Sequence, residues 1–333
     1  VTRREAAPLP AAKGQGRALW FEGAGRCTLR REPLAGQCDG EVLVRTLFSG
    51  ISRGTESLVF GGQVPESEYE RMRAPHQAGE FPFPVKYGYA AVGVVEEGPQ
   101  NLVGKTVFCL HPHQDRFRVP VSAVHPLPET LAPSRAVLAA NMETALNITW
   151  DAGVQPGDRV AVFGAGVVGL LVAYLASQII GTDVVISDIE PERGQTARAL
   201  GLRFARPDAV PHDCDLLVNA SASADALTTA LDHAGLEARI VEASWYGERH
   251  VELPLGGAFH AKRLSIVSSQ VASLPPARRA RWDVRRRMAK AIELLGDDRL
   301  DHLISAETAF ETIAADYAGI VGSAATLCHR IRY

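Results

Sequence analysis

The run Gly164-Ala165-Gly166-Val167-Val168-Gly169 narrows the folds open to this chain more than any other feature. It follows the segment RVAVF directly and opens the apolar stretch VVGLLVAYLASQII, so it reads as strand, tight turn and helix in succession. In that setting each glycine has a task. Gly164 permits the turn, Gly166 lets backbone approach a pyrophosphate, and Gly169 lets helix and strand pack closely, while the helix N-terminus offers unpaired N–H groups to phosphate oxygens. The next strand, DVVISD, ends at Asp188, about twenty residues on, where a carboxylate accepts both hydroxyls of an adenosine ribose and repels a 2′-phosphate. Val167 and Val168, with Ala220 and Ser244 in the segments DLLVNAS and ARIVEAS, complete the cofactor-binding candidates. The competing reading, a ligand-free turn with a solvent-facing aspartate, leaves the agreement of strand, glycines, helix and acid unexplained.

From about Ala140 strand-like and helix-like segments alternate, as βαβ units of a parallel sheet do. Between Gly16 and Pro128 the pattern differs: short β-rich runs (RALWF, EVLVRTLFS, AAVGVVEE, KTVFCL, RFRVPV) are punctuated by Gly and Pro. The 333 residues, 46% hydrophobic, suffice for one large core or two moderate ones. With 35 basic against 38 acidic residues, the formal charge of −3 supplies no field to recruit nucleic acid or an anionic membrane. No apolar run reaches the roughly 20 residues that cross a bilayer. Residues 1–15 lack the apolar core of a secretory signal and read as a flexible leader. Five scattered cysteines without a C-x-x-C pair argue against a disulfide framework or a cysteine-rich zinc site, and place the chain in the cytoplasm.

Four further features carry two readings each. His111, His113 and Asp115 in HPHQD alternate as a strand would, so they are either metal ligands on one face or loop side chains bonded to backbone. The segment PPARRARWDVRRRMAKAIELLG reads as a helix with Val284 and Met288 inward and its basic residues solvated, or gripping an anion. Residues 61–84 form a long polar insertion, a lid or an unstructured loop. Trp245-Tyr246 follows a strand, at the sheet edge where ligands bind or in the core.

QPGDRVAVFGAGVVGLL with SDIEPERGQTARALG resembles the cofactor half of the medium-chain dehydrogenase/reductase superfamily, and GRALWFEGAGRCTLRREPL with EVLVRTLFSGIS resembles its N-terminal half. DDRLDHLISAETAFETIAADYAG is similar to its C-terminal part. The resemblance implies an α/β chain: a GroES-like β domain over 16–140, a Rossmann domain with a doubly wound parallel sheet over 141–274 that binds NAD, and a segment, 275–333, returning to the first domain. It further implies an active site between the domains, a small-molecule substrate, a homodimer joined through the edge strand RLSIVSSQV, and in Arg193 a cation near the adenosine ribose.

The departures from that superfamily point to a zinc-free branch. Ser52 stands where the first metal-binding Cys is expected, Tyr89 replaces the His of a Gly-His-Glu motif, and only Glu143 matches a third-ligand position. Catalytic zinc needs three protein ligands of Cys, His or carboxylate type. SGISRGTESLVF with PFPVKYGYAAVGVV is similar to the bacteriochlorophyllide dehydrogenase group, which carries the same serine and tyrosine. The expected activity is zinc-independent hydride exchange between NAD(H) and a carbonyl/alcohol or activated double bond. Tyr89 is the expected donor to the substrate oxygen, Lys86 would lower its pKa, Glu143 would orient it, and Ser52 and Thr55 are alternative donors. Two alternatives stay open: an NADPH-dependent quinone or enone reductase, disfavoured by Asp188, and a dinucleotide-binding protein without turnover.

Overall fold

The computed structural model describes residues 14–34, 36 and 38–333, so the expected leader at 1–15 lies almost wholly outside the described residues. The chain divides into two units, one taking residues up to Val137 together with Ile304–Tyr333, the other Leu138–Leu303.

The first unit begins with β1 (Gln15–Gly23), β2 (Arg26–Pro33) and β3 (Glu41–Ser52), then α1 (Arg53–Phe60), which follows β3 without a connecting loop. β4 (Ala78–Gly79), β5 (Val85–Lys86), β6 (Ala91–Glu97), β7 (Thr106–Cys109), β8 (Arg116–Pro120) and β9 (Val124–Pro126) complete its N-terminal part. Inward residues at alternate positions of these strands, among them Val42, Val44, Val95, Val107, Phe117 and Val119, form one apolar cluster. The insertion 61–84 carries structure of its own: β4 pairs with β5, Val64 and Phe81 are buried, and the Tyr69 and Phe81 rings pack 5.5 Å apart.

The second unit opens with α2 (Ala139–Ala152) and proceeds through β10 (Arg159–Phe163), α3 (Val167–Ser177), β11 (Asp183–Ser187), α4 (Arg193–Ala199), β12 (Arg203–Ala205), β13 (Cys214–Asn219), α5 (Ala224–His233), β14 (Ala234–Glu242), β15 (Ser265–Ser268) and α6 (Val284–Glu293). Its six strands are all parallel, in the order β12-β11-β10-β13-β14-β15, the doubly wound arrangement expected from the alternating pattern. α3 is buried along nearly its whole length, which explains why its sequence is apolar all round.

The chain then returns to the first unit as β16 (Ile304–Ala309), α7 (Ile313–Gly322) and β17 (Cys328–Arg332). β17 lies between β16 and β3 in a seven-stranded sheet ordered β16-β17-β3-β6-β7-β9, with β8 as the seventh strand paired to β3, while β2, β1, β5 and β4 form a smaller one. The return starts at Ile304 rather than at 275, because α6 packs on α2 within the second unit. Only the latter half of PPARRARWDVRRRMAKAIELLG is helical. Asp283 caps α6 by accepting from the Arg286 N–H at 2.7 Å, and the residues before it form turns. Val284, expected inward, is 56% exposed in the first turn, whereas Arg287 is buried beside Met288.

Candidate functional site

In the second unit the sheet order reverses between β10 and β13, and polar groups gather where those strands end, the place at which open α/β sheets receive ligands. Gly164, with φ of +101°, makes the turn after β10, and a Cβ there would lie 2.8 Å from backbone of Ala220 and Ser221. A Cβ on Gly169 would meet the Gly164 carbonyl oxygen at 1.9 Å, so the first turn of α3 seats against the strand end only without a side chain. Nothing lies within 4 Å of the same position on Gly166, which leaves its backbone open to a ligand. Val167 and Val168 begin α3 there. Asp188 closes the approach from β11: its carboxylate accepts the Ala165 N–H at 2.7 Å and the Glu190 N–H at 2.9 Å. Arg193 opens α4 and is buried.

Side chains that sequence reasoning left out tie down the neighbouring turns. The Asn219 amide donates to Glu242 Oε2 at 2.8 Å and to Tyr246 Oη at 2.9 Å, and its oxygen accepts from the Ser221 hydroxyl at 2.6 Å. Ser244 Oγ accepts the N–H of Ala222, a residue held at φ of +54°, at 2.9 Å. The turns after β13 and β14, where Ala220 and Ser244 lie, are thus cross-linked. Partial burial, with Glu242 alongside, pushes the Tyr246 phenol up to about 12.

The first unit brings together three of the five expected catalytic residues. Ser52 and Thr55, at the junction of β3 and α1, hydrogen-bond the half-buried Tyr89 phenol, which burial and the nearby Glu56 carboxylate push up to about 12. The expected lowering by Lys86 does not occur. The Lys86 ammonium instead bonds Glu32 Oε2 at 2.7 Å and Gln114 Oε1 at 2.9 Å.

Beneath these residues lies a buried hydrogen-bonded set of which sequence reasoning singled out only His113. Glu56 Oε1 accepts the Ser52 N–H at 2.7 Å, and its Oε2 faces His113 Nε2 at 2.9 Å and the Tyr317 hydroxyl at 2.6 Å. His113 Nδ1 meets Ser49 Oγ at 2.7 Å, which in turn meets the Tyr333 hydroxyl at 2.9 Å. Every proton is placed if the hydroxyls donate in sequence toward the imidazole and the imidazole donates to Glu56, so the whole chain of donors ends on one carboxylate. The signal was present in RGTESLVF, where Glu56 shares the inward helical face of Val59 and Phe60.

His111 and Asp115, the other residues of HPHQD, turn elsewhere. Asp115 pairs with Arg17 at 2.9 Å, and the His111 ring stacks on Phe117 at 3.7 Å with Nδ1 on the Pro112 carbonyl. Among the described residues no three of His, Cys, Asp and Glu converge in a way that could hold a metal ion. Burial holds His111 well below the ordinary imidazole range. The unfolded chain takes up that proton near pH 6.5 while the folded chain does not, so stability present above that pH is lost on acidification. Urea unfolding at pH 7, 6 and 5 should show the decline, and His111→Phe should flatten it by up to about 1.4 kcal/mol per pH unit. An unaltered slope in that variant would clear His111 of the effect.

Glu143 belongs to the second unit, on α2, and its carboxylate lies 3.0 Å from Arg287 Nε. Burial raises its pKa and Arg287 opposes the rise. Arg287 also donates to Asn147 Oδ1 and to the Val271 carbonyl, both at 2.6 Å, so one guanidinium binds α6, α2 and the segment after β15 together. One residue of the basic run, expected to face water, is therefore the centre of a buried polar junction.

No protein-family model matches the chain. Among curated proteins, (R,R)-butanediol dehydrogenase of Bacillus subtilis is 26% identical over 199 residues, covering 50% of this chain and 56% of that protein. The chain spans little more than half the length of the first curated relatives it matches at greatest extent. Among solved structures, the rspB alcohol dehydrogenase of Escherichia coli, complexed with NADH, superposes with a TM-score of 0.77 at 18% identity, covering 96% of this chain and 100% of that one. A zinc-binding dehydrogenase from Sinorhizobium meliloti bound to NADP gives the same TM-score at 17% identity, with the same coverage. The chain folds as the medium-chain alcohol dehydrogenases do.

Proposed function

We propose that this chain is a medium-chain NAD(P)-dependent dehydrogenase or reductase, that it favours NAD(H), and that it acts on a carbonyl/alcohol substrate without catalytic zinc. The observation that carries the reading is the glycine turn closed by Asp188. Gly166 leaves room for a pyrophosphate at the start of α3, and each Asp188 oxygen keeps a lone pair for a ribose hydroxyl after accepting its backbone N–H. Bound nicotinamide supplies or takes up the hydride. As a carbonyl is reduced, negative charge develops on its oxygen and needs a donor. Tyr89 suits that task, because a phenol pushed up to about 12 stays protonated at neutral pH, and Ser52 and Thr55 fix its direction.

The donor set does not suit a catalytic zinc. Ser52 and Tyr89 offer protonated hydroxyls bonded to one another, and Glu143 is committed to Arg287. We further propose a cytoplasmic homodimer paired through β15, the terminal strand of the six-stranded sheet. Titration of the purified protein with NADH and NADPH, followed by nicotinamide fluorescence and combined with elemental analysis, tests the reading. Saturable binding, tighter for NADH, with zinc well below one per chain is expected. Absence of binding would remove the dinucleotide assignment, and one zinc per chain whose chelation abolishes turnover would remove the metal-free one.

A further inference from the structure

The end of α2 and the turn leading into α6 bring two indole rings against one another. Trp150 and Trp282, both half-buried, pack with centroids 4.7 Å apart. A guanidinium lies over each ring: Arg278 at 5.2 Å from the centroid of Trp150, and Arg286 at 4.1 Å from that of Trp282. The Arg281 and Trp282 N–H groups donate to the Arg278 carbonyl at 3.1 and 3.0 Å, closing the turn that also carries Arg279. Arg286 Nη1 donates to the Arg281 carbonyl and Arg279 Nε to that of Leu274, so each guanidinium is anchored through one nitrogen and keeps other N–H groups unused. All four arginines are exposed, and among the described residues none of them has a carboxylate partner. Exposed arginines elsewhere do find one: Arg45 pairs with Glu96 at 3.1 Å and Arg263 with Glu237 at 2.8 Å. The acids close by in sequence are committed, Asp283 to the cap of α6, Asp151 to Asn147 and Ser269, and Glu293 to Lys290.

We propose that this face is a docking surface for an acidic segment of a partner protein, a run of Asp and Glu side chains. Four unpaired guanidinia within nine residues supply the complementary charge, and their N–H forks match carboxylates. A guanidinium held over a ring or tied to backbone has little rotamer entropy left to lose when its remaining nitrogens engage a carboxylate. The rings favour a peptide over a nucleic-acid strand. Single strands bind by laying bases on open aromatic faces. Here the indoles are half-buried, packed on one another and capped by arginine, so they serve as rests for the cations. The chain's formal charge of −3 adds no long-range attraction for a phosphate backbone. None of these residues belongs to the glycine turn or to the turn at Asp188, so such docking leaves NADH binding unaltered.

Fluorescence anisotropy of a labelled octaglutamate peptide, titrated with the full chain, tests this beside a labelled oligothymidylate of equal charge. Saturable peptide binding that weakens as salt is raised is expected. Arg278→Gln combined with Arg286→Gln should weaken it about tenfold, and lysine at both positions, which keeps the charge but not the fork, should recover part of the loss. A control that removes two exposed arginines elsewhere in the second unit, Arg203→Gln with Arg263→Gln, alters net charge equally and should leave peptide affinity within about twofold of the parent. Because all these side chains are exposed, melting curves of the variants should match the parent and exclude misfolding as the cause. Absence of saturable peptide binding, or undiminished binding in the Arg278 and Arg286 glutamine variant, would overturn the proposal. So would an equal loss in the control, which assigns the attraction to net charge, and so would tighter binding of the oligothymidylate, which assigns the face to nucleic acid.

Discussion

Glu56→Ala is expected to lower the unfolding free energy by about 3 kcal/mol or more, because each buried donor left without an acceptor costs about 1–3 kcal/mol. The carboxylate is inaccessible to water and is the terminus for the Ser52 N–H, His113 Nε2 and the Tyr317 hydroxyl. An alanine leaves three donors without an acceptor and opens a void beside the Tyr317 hydroxyl. Glu56→Gln keeps the shape and one acceptor, so it should lose less. Denaturant unfolding with hydrogen exchange on the first unit's amides measures both. A loss below about 1 kcal/mol for the alanine variant would mean that water or a rearranged side chain replaces the carboxylate.

Tyr89→Phe is the largest effect expected on chemistry. If the phenol donates to the developing oxyanion, its removal should lower turnover about a hundredfold or more, with NADH affinity little altered. Phenylalanine preserves the edge-to-face contact with Tyr87, 6.1 Å between centroids, so loss of packing is not a competing cause. The raised phenol pKa sharpens the expectation: no decline in rate from Tyr89 ionisation should appear below about pH 11, whereas a tyrosine lowered by a lysine would titrate nearer neutrality. Turnover equal to the parent's would take Tyr89 out of the mechanism and leave Ser52 and Thr55 as donors.

What could be read from the sequence was what local pattern determines. The glycine turn, the parallel strands and Asp188 at the end of β11 all follow from side-chain period and turn chemistry within a few tens of residues. The grouping of Ser52, Thr55 and Tyr89 came from the resemblance to the dehydrogenase superfamily, whose metal-ligand positions Ser52 and Tyr89 occupy. The partners of Glu56 were hidden because they lie 57 and 261 residues away, a separation that no periodicity encodes. Lys86 shows the other failure. Nearness in sequence says nothing about which opposite charge captures a side chain, and Glu32 captured this one. Arg287 was concealed by its surroundings, one inward cation in a run of solvated ones, adjacent to Met288 on the buried stripe of α6.

The discontinuity of the first unit bears on how the chain is made. Its seven-stranded sheet places β17 directly against β3, pairing Cys328 with Ser52 and Arg330 with Gly50, whereas the second unit is contiguous from Leu138 to Leu303. During synthesis the second unit can therefore close as soon as it emerges from the ribosome, while the first waits with the edge of β3 unpaired. Until residues after 303 arrive, the nascent protein carries an open strand edge and lacks Tyr317, a partner of Glu56. Assembly of the polar centre beneath Tyr89 is thus a late event in the life of the polypeptide, and the interval before it is when a chaperone has most to protect.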